Sequence, residues 1–293
     1  MIEKVVYSFS SENAPVEKVK KGSTVVLRTM DCFSNQILSE DQLVTAIDFG
    51  HVNPATGPVF VEGAFPGDVL VVDILDIQVD SAGVTTTLPD NGPLFSNVET
   101  RTKVIQIRDG KAIFNDISWK IDPMIGVIGV APKTGSVPCG YPGNHGGNMD
   151  NHLITKGTKL YFPVQVEGAL FQCGDIHASM GDCELCGTGL EIPGVITVKL
   201  DVIKNFEMAW PWLETEDKWY AIASAPEYHE ALKNVSLEMQ NMITRAYGWD
   251  KTDAYLYLSI QGDVEICQAC KPCLVDMILR LGIPKQPGKP LIY

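Results

Sequence analysis

Residues 146–194 read GGNMDNHLITKGTKLYFPVQVEGALFQCGDIHASMGDCELCGTGLEIPG and hold most of the acids and imidazoles with which this chain can do chemistry. The apolar run 160–171 predicts a strand, and GDIHA after it sets Asp175 and His177 two residues apart near its end. Side chains two apart on a strand project from the same face. A carboxylate and an imidazole held side by side can ligate a metal, or work as a base with its orienting partner. Glu184 follows in GDCELCG with Asp182 before it, and Asp150 and Glu191 bracket the segment. Glycine followed by aspartate is also an ordinary turn signal, at Gly67–Asp68, Gly174–Asp175, Gly181–Asp182 and Gly262–Asp263 alike. Taken singly each pair reads as a turn, whereas the combination of acids and imidazole on glycine-punctuated connections favours a site.

These residues resemble a known family. GGNMD (146–150), LYFPVQVEGALFQCGDIHASMGDCELCG (160–187) and LEIPG (190–194) look like the acetamidase/formamidase family of amide hydrolases. HVNPATGPVFVEGAFPGDVLVVDI (51–74) and YLYLSIQGDVEICQ (255–268) are similar to further blocks of that family. Cys183 departs from the pattern, since the family usually has glycine there. The resemblance implies hydrolysis of formamide or acetamide to ammonia and the carboxylate, and a place for His51 on the substrate or metal side.

Read as chemistry, the segment suits a metal-activated water. Asp175 and His177 are the preferred ligands, with His51 or Asp150 as a third. Glu184 serves as general base and later acid, with Glu191 as second choice. The glycine-rich stretch before it offers Gly147 and Asn148 to a substrate oxygen. Histidine favours zinc, while an all-oxygen set would suit calcium or magnesium. Two alternatives stand beside this one: a cysteine nucleophile, Cys173 or Cys186, and a binding protein in which the same residues hold a purely structural ion. Cys267, Cys270 and Cys273 at C-x-x-C-x-x-C spacing could bind metal only if another segment met them, and otherwise pack as small apolar groups.

Composition narrows the partners. A net charge of −13 over 293 residues repels phosphate backbones and anionic membranes, so neither nucleic acid nor membrane is expected as a partner. No export signal or spanning segment is visible, and eight cysteines in such a chain argue for reduced thiols and a cytoplasmic location. The tryptophan-rich block 206–219 packs a core or forms the surface of a homodimer or higher homo-oligomer.

Alternating runs predict strands over much of 1–205. They include a hairpin turning on Asp109–Gly110, a buried strand from Met124, and an edge or half-buried strand in VITVKLDVIK (195–204). Asp73 and Asp76, three apart in another strand, are expected on different faces and away from catalysis. After residue 206 the three- and four-residue spacing of Leu232, Val235, Met239, Met242, Ile243 and Ala246 predicts an amphipathic helix ended by Gly248. The fold expected is mainly β, as packed sheets or a distorted barrel over 1–205, with a smaller α+β part over 206–293 packed on it.

Overall fold

Val69–Val79 is the longest strand, and its apolar alternation decides which way its sheet faces. In the computed structural model, which describes residues 1–292, it pairs with Lys159–Pro163 on one side and Gly194–Ile203 on the other within an eight-stranded sheet. A twelve-stranded sheet carries Phe171–His177 in its interior, bonded to Met124–Gly129 on one side and to Ala55–Glu62 and Glu191–Ile192 on the other. The two sheets share one core, in which Leu70, Val72, Ile196 and Val198 meet Ile125, Ile128, Phe171 and Ile176. Each such side chain contributes about 1.5–3 kcal/mol on full burial.

The reverse face of the eight-stranded sheet presents Val71, Tyr161, Trp212 and Leu281 to helix α1, Tyr228–Tyr247, which answers with Val235, Met239 and Ile243. Gly248 closes that helix in the left-handed conformation (φ 69°) and donates its N–H to the Thr244 carbonyl. Asp250 caps helix α2, Lys251–Gln261, by accepting from the N–H groups of Thr252 and Asp253. The molecule is therefore mainly β, built of packed sheets, with its helices near the C-terminus. Strands from both sides of residue 205 join the eight-stranded sheet.

Several local expectations are resolved. Of the two readings of Gly194–Ile203, edge or half-buried, the second holds: it is bonded on both sides, and its residues alternate between buried and half-buried. A bulge opposite Thr197–Val198 shifts the alternation of Val69–Val79, so that Leu70, Val72 and Ile74 are followed by Ile77 in the core. Asp73 and Asp76 consequently share the opposite face, where Lys159 and Lys156 pair with them. Glu17–Lys20 is a short strand parallel to Ala55–Glu62. Trp212 and Trp219 are buried against the helices, with the Trp212 indole donating to Glu238 at 3.0 Å, so these two tryptophans serve the core.

Candidate active site

The Gly174–Asp175 pair is not a turn. It lies within the Phe171–His177 strand, where a Cβ on Gly174 would come within 2.2 Å of the Pro54 carbonyl. Glycine is required there by close backbone approach. Asp175 itself takes a left-handed φ of 56°, and so do Asp150 (35°), Cys183 (79°) and Glu184 (46°). Non-glycine residues in this region cost about 1–3 kcal/mol each and persist where the surroundings hold them. Three acids strained toward one point mark a functional centre.

That point is a buried cluster. His177 Nε2 lies 3.0 Å from Glu191 Oε2, 3.4 Å from Asp175 Oδ1 and 3.9 Å from Asp150 Oδ1. Glu184 joins Asp150 and His177 as one group able to grip an ion, and Cys32, Asp175 and Glu191 form a second. All six side chains are buried. They line a cavity of about 80 Å³ together with Asn53, Asn148, Thr188 and Gln268.

The electrostatics follow from burial. Desolvation, reinforced by the charges of Glu184 and Asp175, holds the Asp150 carboxyl well above the usual range. Burial pushes Glu184 up as well, and pushes Glu191 to about 8. Burial opposes protonation of His177, but the Glu191 and Asp175 carboxylates outweigh it and hold the imidazole well above its ordinary value. Four carboxylates around one imidazole leave an excess of buried negative charge, which is costly unless neutralised.

The residues fit a divalent cation. Asp150 Oδ1, Asp175 Oδ1 and Glu191 Oε2 are buried without a hydrogen-bond partner. Gly126 keeps their meeting place open, because a Cβ there would lie 2.5 Å from Asp150 Oδ1 and 2.7 Å from Asp175 Oδ2. Carboxylate oxygens and an imidazole nitrogen are ligands that zinc accepts, and the oxygens alone suit calcium or magnesium.

Of the residues singled out in the sequence, Asp150, Asp175, His177, Glu184 and Glu191 are brought together, and Asn148 lines the same cavity. Gly147 stands one residue before it on the Gly146–Asn148 strand, with φ 86°, and a Cβ there would press on the Tyr141 carbonyl. His51 is not in the cluster. It ends an exposed turn of 3₁₀ helix, where its Nδ1 lies 2.6 Å from Asp48 Oδ2 and its ring meets Tyr7 edge-on. From the same block Asn53 reaches inward, donating to Asp175 Oδ2 and Asn148 Oδ1 at 3.4 Å. Cys173 and Cys186 do not line the cavity: Cys173 is fully buried in the core and Cys186 donates to the carbonyls of Thr86 and Thr188.

Two cavity residues carried no signal in the sequence. Gln268 donates from Nε2 to both Asp150 Oδ2 and Glu184 Oε2, the latter at 2.8 Å. Cys32 enters from the first part of the chain beside Asp31, whose carboxyl burial raises to about 6. Gln268 is positioned by backbone pairing, since the Cys183 N–H donates to the Cys267 carbonyl and the Ala269 N–H to the Cys183 carbonyl. Buried Arg280 holds the same turn from the neighbouring strand, gripping Asp182 with both Nη atoms and Asn151 with one. Of the three cysteines only Cys267 thus meets the 183–186 segment through backbone, and no group of three cysteines able to hold an ion occurs among the described residues.

The profile of the Acetamidase/Formamidase family matches residues 8–137 and 134–272. A formamidase of Methylophilus methylotrophus is 27% identical over 256 residues, 65% of this chain. That match spans 62% of the relative's own length. The crystal structure of acetamidase from Bacillus halodurans resembles this one with a TM-score of 0.93 at 37% identity, covering 97% of this chain and 96% of that one. A recombinant predicted acetamidase/formamidase from Thermoanaerobacter tengcongensis gives 0.93 at 42% identity over 97% and 94%. With the matched residues running through nearly the whole chain, the protein belongs to the acetamidase/formamidase family.

Proposed function

We propose that the chain is an amidohydrolase that cleaves the C–N bond of short aliphatic amides, formamide and acetamide, giving the carboxylate and ammonia. The observation that carries this reading is the convergence of four buried carboxylates on His177 around a cavity sized for a molecule of a few heavy atoms. Asp150, Asp175 and His177 would hold a divalent metal, with zinc favoured and calcium or magnesium as alternatives. When bound, such an ion supplies Lewis acidity toward the amide carbonyl and makes water nucleophilic near neutral pH.

Glu184 is the general base. Its carboxyl is raised by burial and anchored through Oε2 by Gln268, so it can take the proton of the attacking water and return it to the departing nitrogen. The carbon–oxygen bond forms, the carbon–nitrogen bond breaks, and ammonia leaves with that proton. Glu191 stands second for the same role and meanwhile keeps His177 oriented. Asn148, beside Asn53, is suited to steady the substrate oxygen, with Gly147 fixing the backbone before it.

Eight free thiols fit a reducing, cytoplasmic setting, and no helix among the described residues is long and apolar enough to cross a membrane. Exposed Tyr255, Leu256 and Ile260 on α2 offer apolar surface for a homodimer or larger homo-oligomer.

Ammonia release from formamide, acetamide and propionamide, before and after chelation and with zinc, calcium and magnesium restored one at a time, tests the proposal. Turnover lost to chelator and regained with one ion is the expected result. Turnover indifferent to chelator would move the chemistry to a side-chain nucleophile. No turnover of any amide would remove the substrate class.

A further inference from the structure

The geometry points to Phe49 and Leu88 as the residues that limit the acyl chain this site accepts, forming an apolar rim that cuts turnover with each methylene added beyond acetamide. This rests on the hydrolase reading above. The cavity at the acid cluster measures about 80 Å³. At the ~30 Å³ that a water occupies in the liquid, it has room for about three heavy atoms, which is the carboxamide group itself. Its wall is divided. Asp150, Asp175, His177, Glu184, Glu191 and Gln268 are all buried and form the floor, whereas Phe49, Val52, Asn53, Leu88 and Gly187 line the same space and keep access to solvent. The second set marks the mouth, and Phe49 is its most open member at 55% exposure. Asn53, the one polar side chain of that set, is engaged with Asp175 and Asn148. A carboxamide with its oxygen toward Asn148 and its nitrogen toward Glu184 therefore turns its acyl substituent outward, against Phe49 and Leu88.

Both rim residues are held by their surroundings. Phe49 opens the turn of 3₁₀ helix that ends at His51. Gln36 clasps that turn, accepting from the Asp48 N–H at 2.8 Å and donating to the carbonyls of Asp48 and His51 at 3.2 and 3.3 Å. The Asp48 carboxylate accepts from the Gly50 N–H at 2.8 Å and meets the His51 ring at 2.6 Å. His51 thus serves the site from outside it, by bracing the turn that carries Phe49. Leu88 packs against the small core of Phe33, Ile37 and Val44. Its Cδ1 lies where a Cβ on Gly187 would come within 2.8 Å, so glycine at 187 lets Leu88 lie against the turn that Gly187 closes by donating its N–H to the Glu184 carbonyl. A rim fixed in this way discriminates by exclusion. One methylene in an apolar pocket is worth about 10- to 200-fold in kcat/KM.

Comparison of kcat/KM for acetamide, propionamide and butyramide, in the wild type and in Phe49→Ala, Phe49→Trp and Leu88→Ala, tests this, with melting temperatures recorded to confirm folding. The three carbonyls differ little in intrinsic reactivity, so their ratios read the rim. The wild type should prefer acetamide over butyramide about 100-fold or more, at tenfold or more for each of two methylenes. Phe49→Ala should lower that ratio at least tenfold, Leu88→Ala should lower it at least threefold, and Phe49→Trp should raise it. Butyramide turned over as well as acetamide by the wild type, or a ratio unmoved in both alanine variants, would overturn the rim and leave amide hydrolysis standing. No turnover of any of the three by the wild type would overturn both.

Discussion

Gln268 and Glu184 lie 84 residues apart in the chain and share a buried hydrogen bond of 2.8 Å, while the same Gln268 amide nitrogen also donates to Asp150. One neutral donor thus bridges two acids that would otherwise repel. Gln268→Leu removes it with little change of volume. A hydrogen bond to a charged group contributes about 1.5–3 kcal/mol, so kcat/KM should fall roughly 10- to 100-fold. Steady-state kinetics on folded variant check this, and a loss under threefold would show that the acids hold their places without the bridge.

At Gly126 a single methyl group would enter the meeting point of Asp150 and Asp175. Gly126→Ala should reduce both metal content and amide turnover by about 100-fold, on the scale that a misplacement of about 1 Å imposes on a catalytic centre. Metal analysis of the purified variant alongside its kinetics decides the matter. Full metal content with normal turnover would contradict the cradle.

Cys183 occupies a backbone conformation suited to glycine, with φ 79°. Cys183→Gly relieves strain of about 1 kcal/mol, which in a chain of this size corresponds to roughly 2 °C in melting temperature. Calorimetry should show that rise. A fall would mean that the cysteine side chain contributes packing that outweighs its backbone cost.

His145 is buried, and burial alone holds its pKa down at about 4, against 6.5 for the free side chain. The unfolded chain takes up a proton as pH falls through 6.5, but the folded chain does so only near 4. The stability from keeping this ring neutral is therefore complete above 6.5 and is lost on acidification toward 4, by up to ~3 kcal/mol. Urea midpoints at pH 7 and 4.5 should separate more in the wild type than in His145→Gln. Equal separation in both would place the ring's protonation outside this window.

Burial also pushes the Cys173 thiol far up and keeps it neutral. Cys173→Ala should lower stability by about 1 kcal/mol through lost packing while retaining turnover within about threefold. A collapse of activity in a folded Cys173→Ala protein would revive the cysteine nucleophile.

The acids of 146–194 were legible because residue type and glycine punctuation are local signals, and α1 and the Asp109–Gly110 hairpin because periodicity and turn chemistry are local too. Gln268 was not, since a glutamine after an alternating strand carries no chemical mark until pairing of 267–269 with Cys183 brings it inward. His51 and Asn53 show the same limit. Their shared block points at the site, but only the fold decides that Asn53 turns in while His51 remains on an exposed turn. Strict alternation places Asp73 and Asp76 on opposite faces, and one bulge undoes that count.

The backbone pairing of Cys183 with Gln268 also sets a clock for the newborn chain. Asp150 is made 118 residues before the glutamine that bridges it to Glu184. At about 5–20 residues per second, that interval lasts roughly 6–24 s. Throughout it the acids exist without their bridge, and the strand that carries Arg280 is later still. A ribosome-bound chain halted before residue 268 should therefore turn over amide at least 10- to 100-fold more slowly than the finished chain, however well its first sheet has formed.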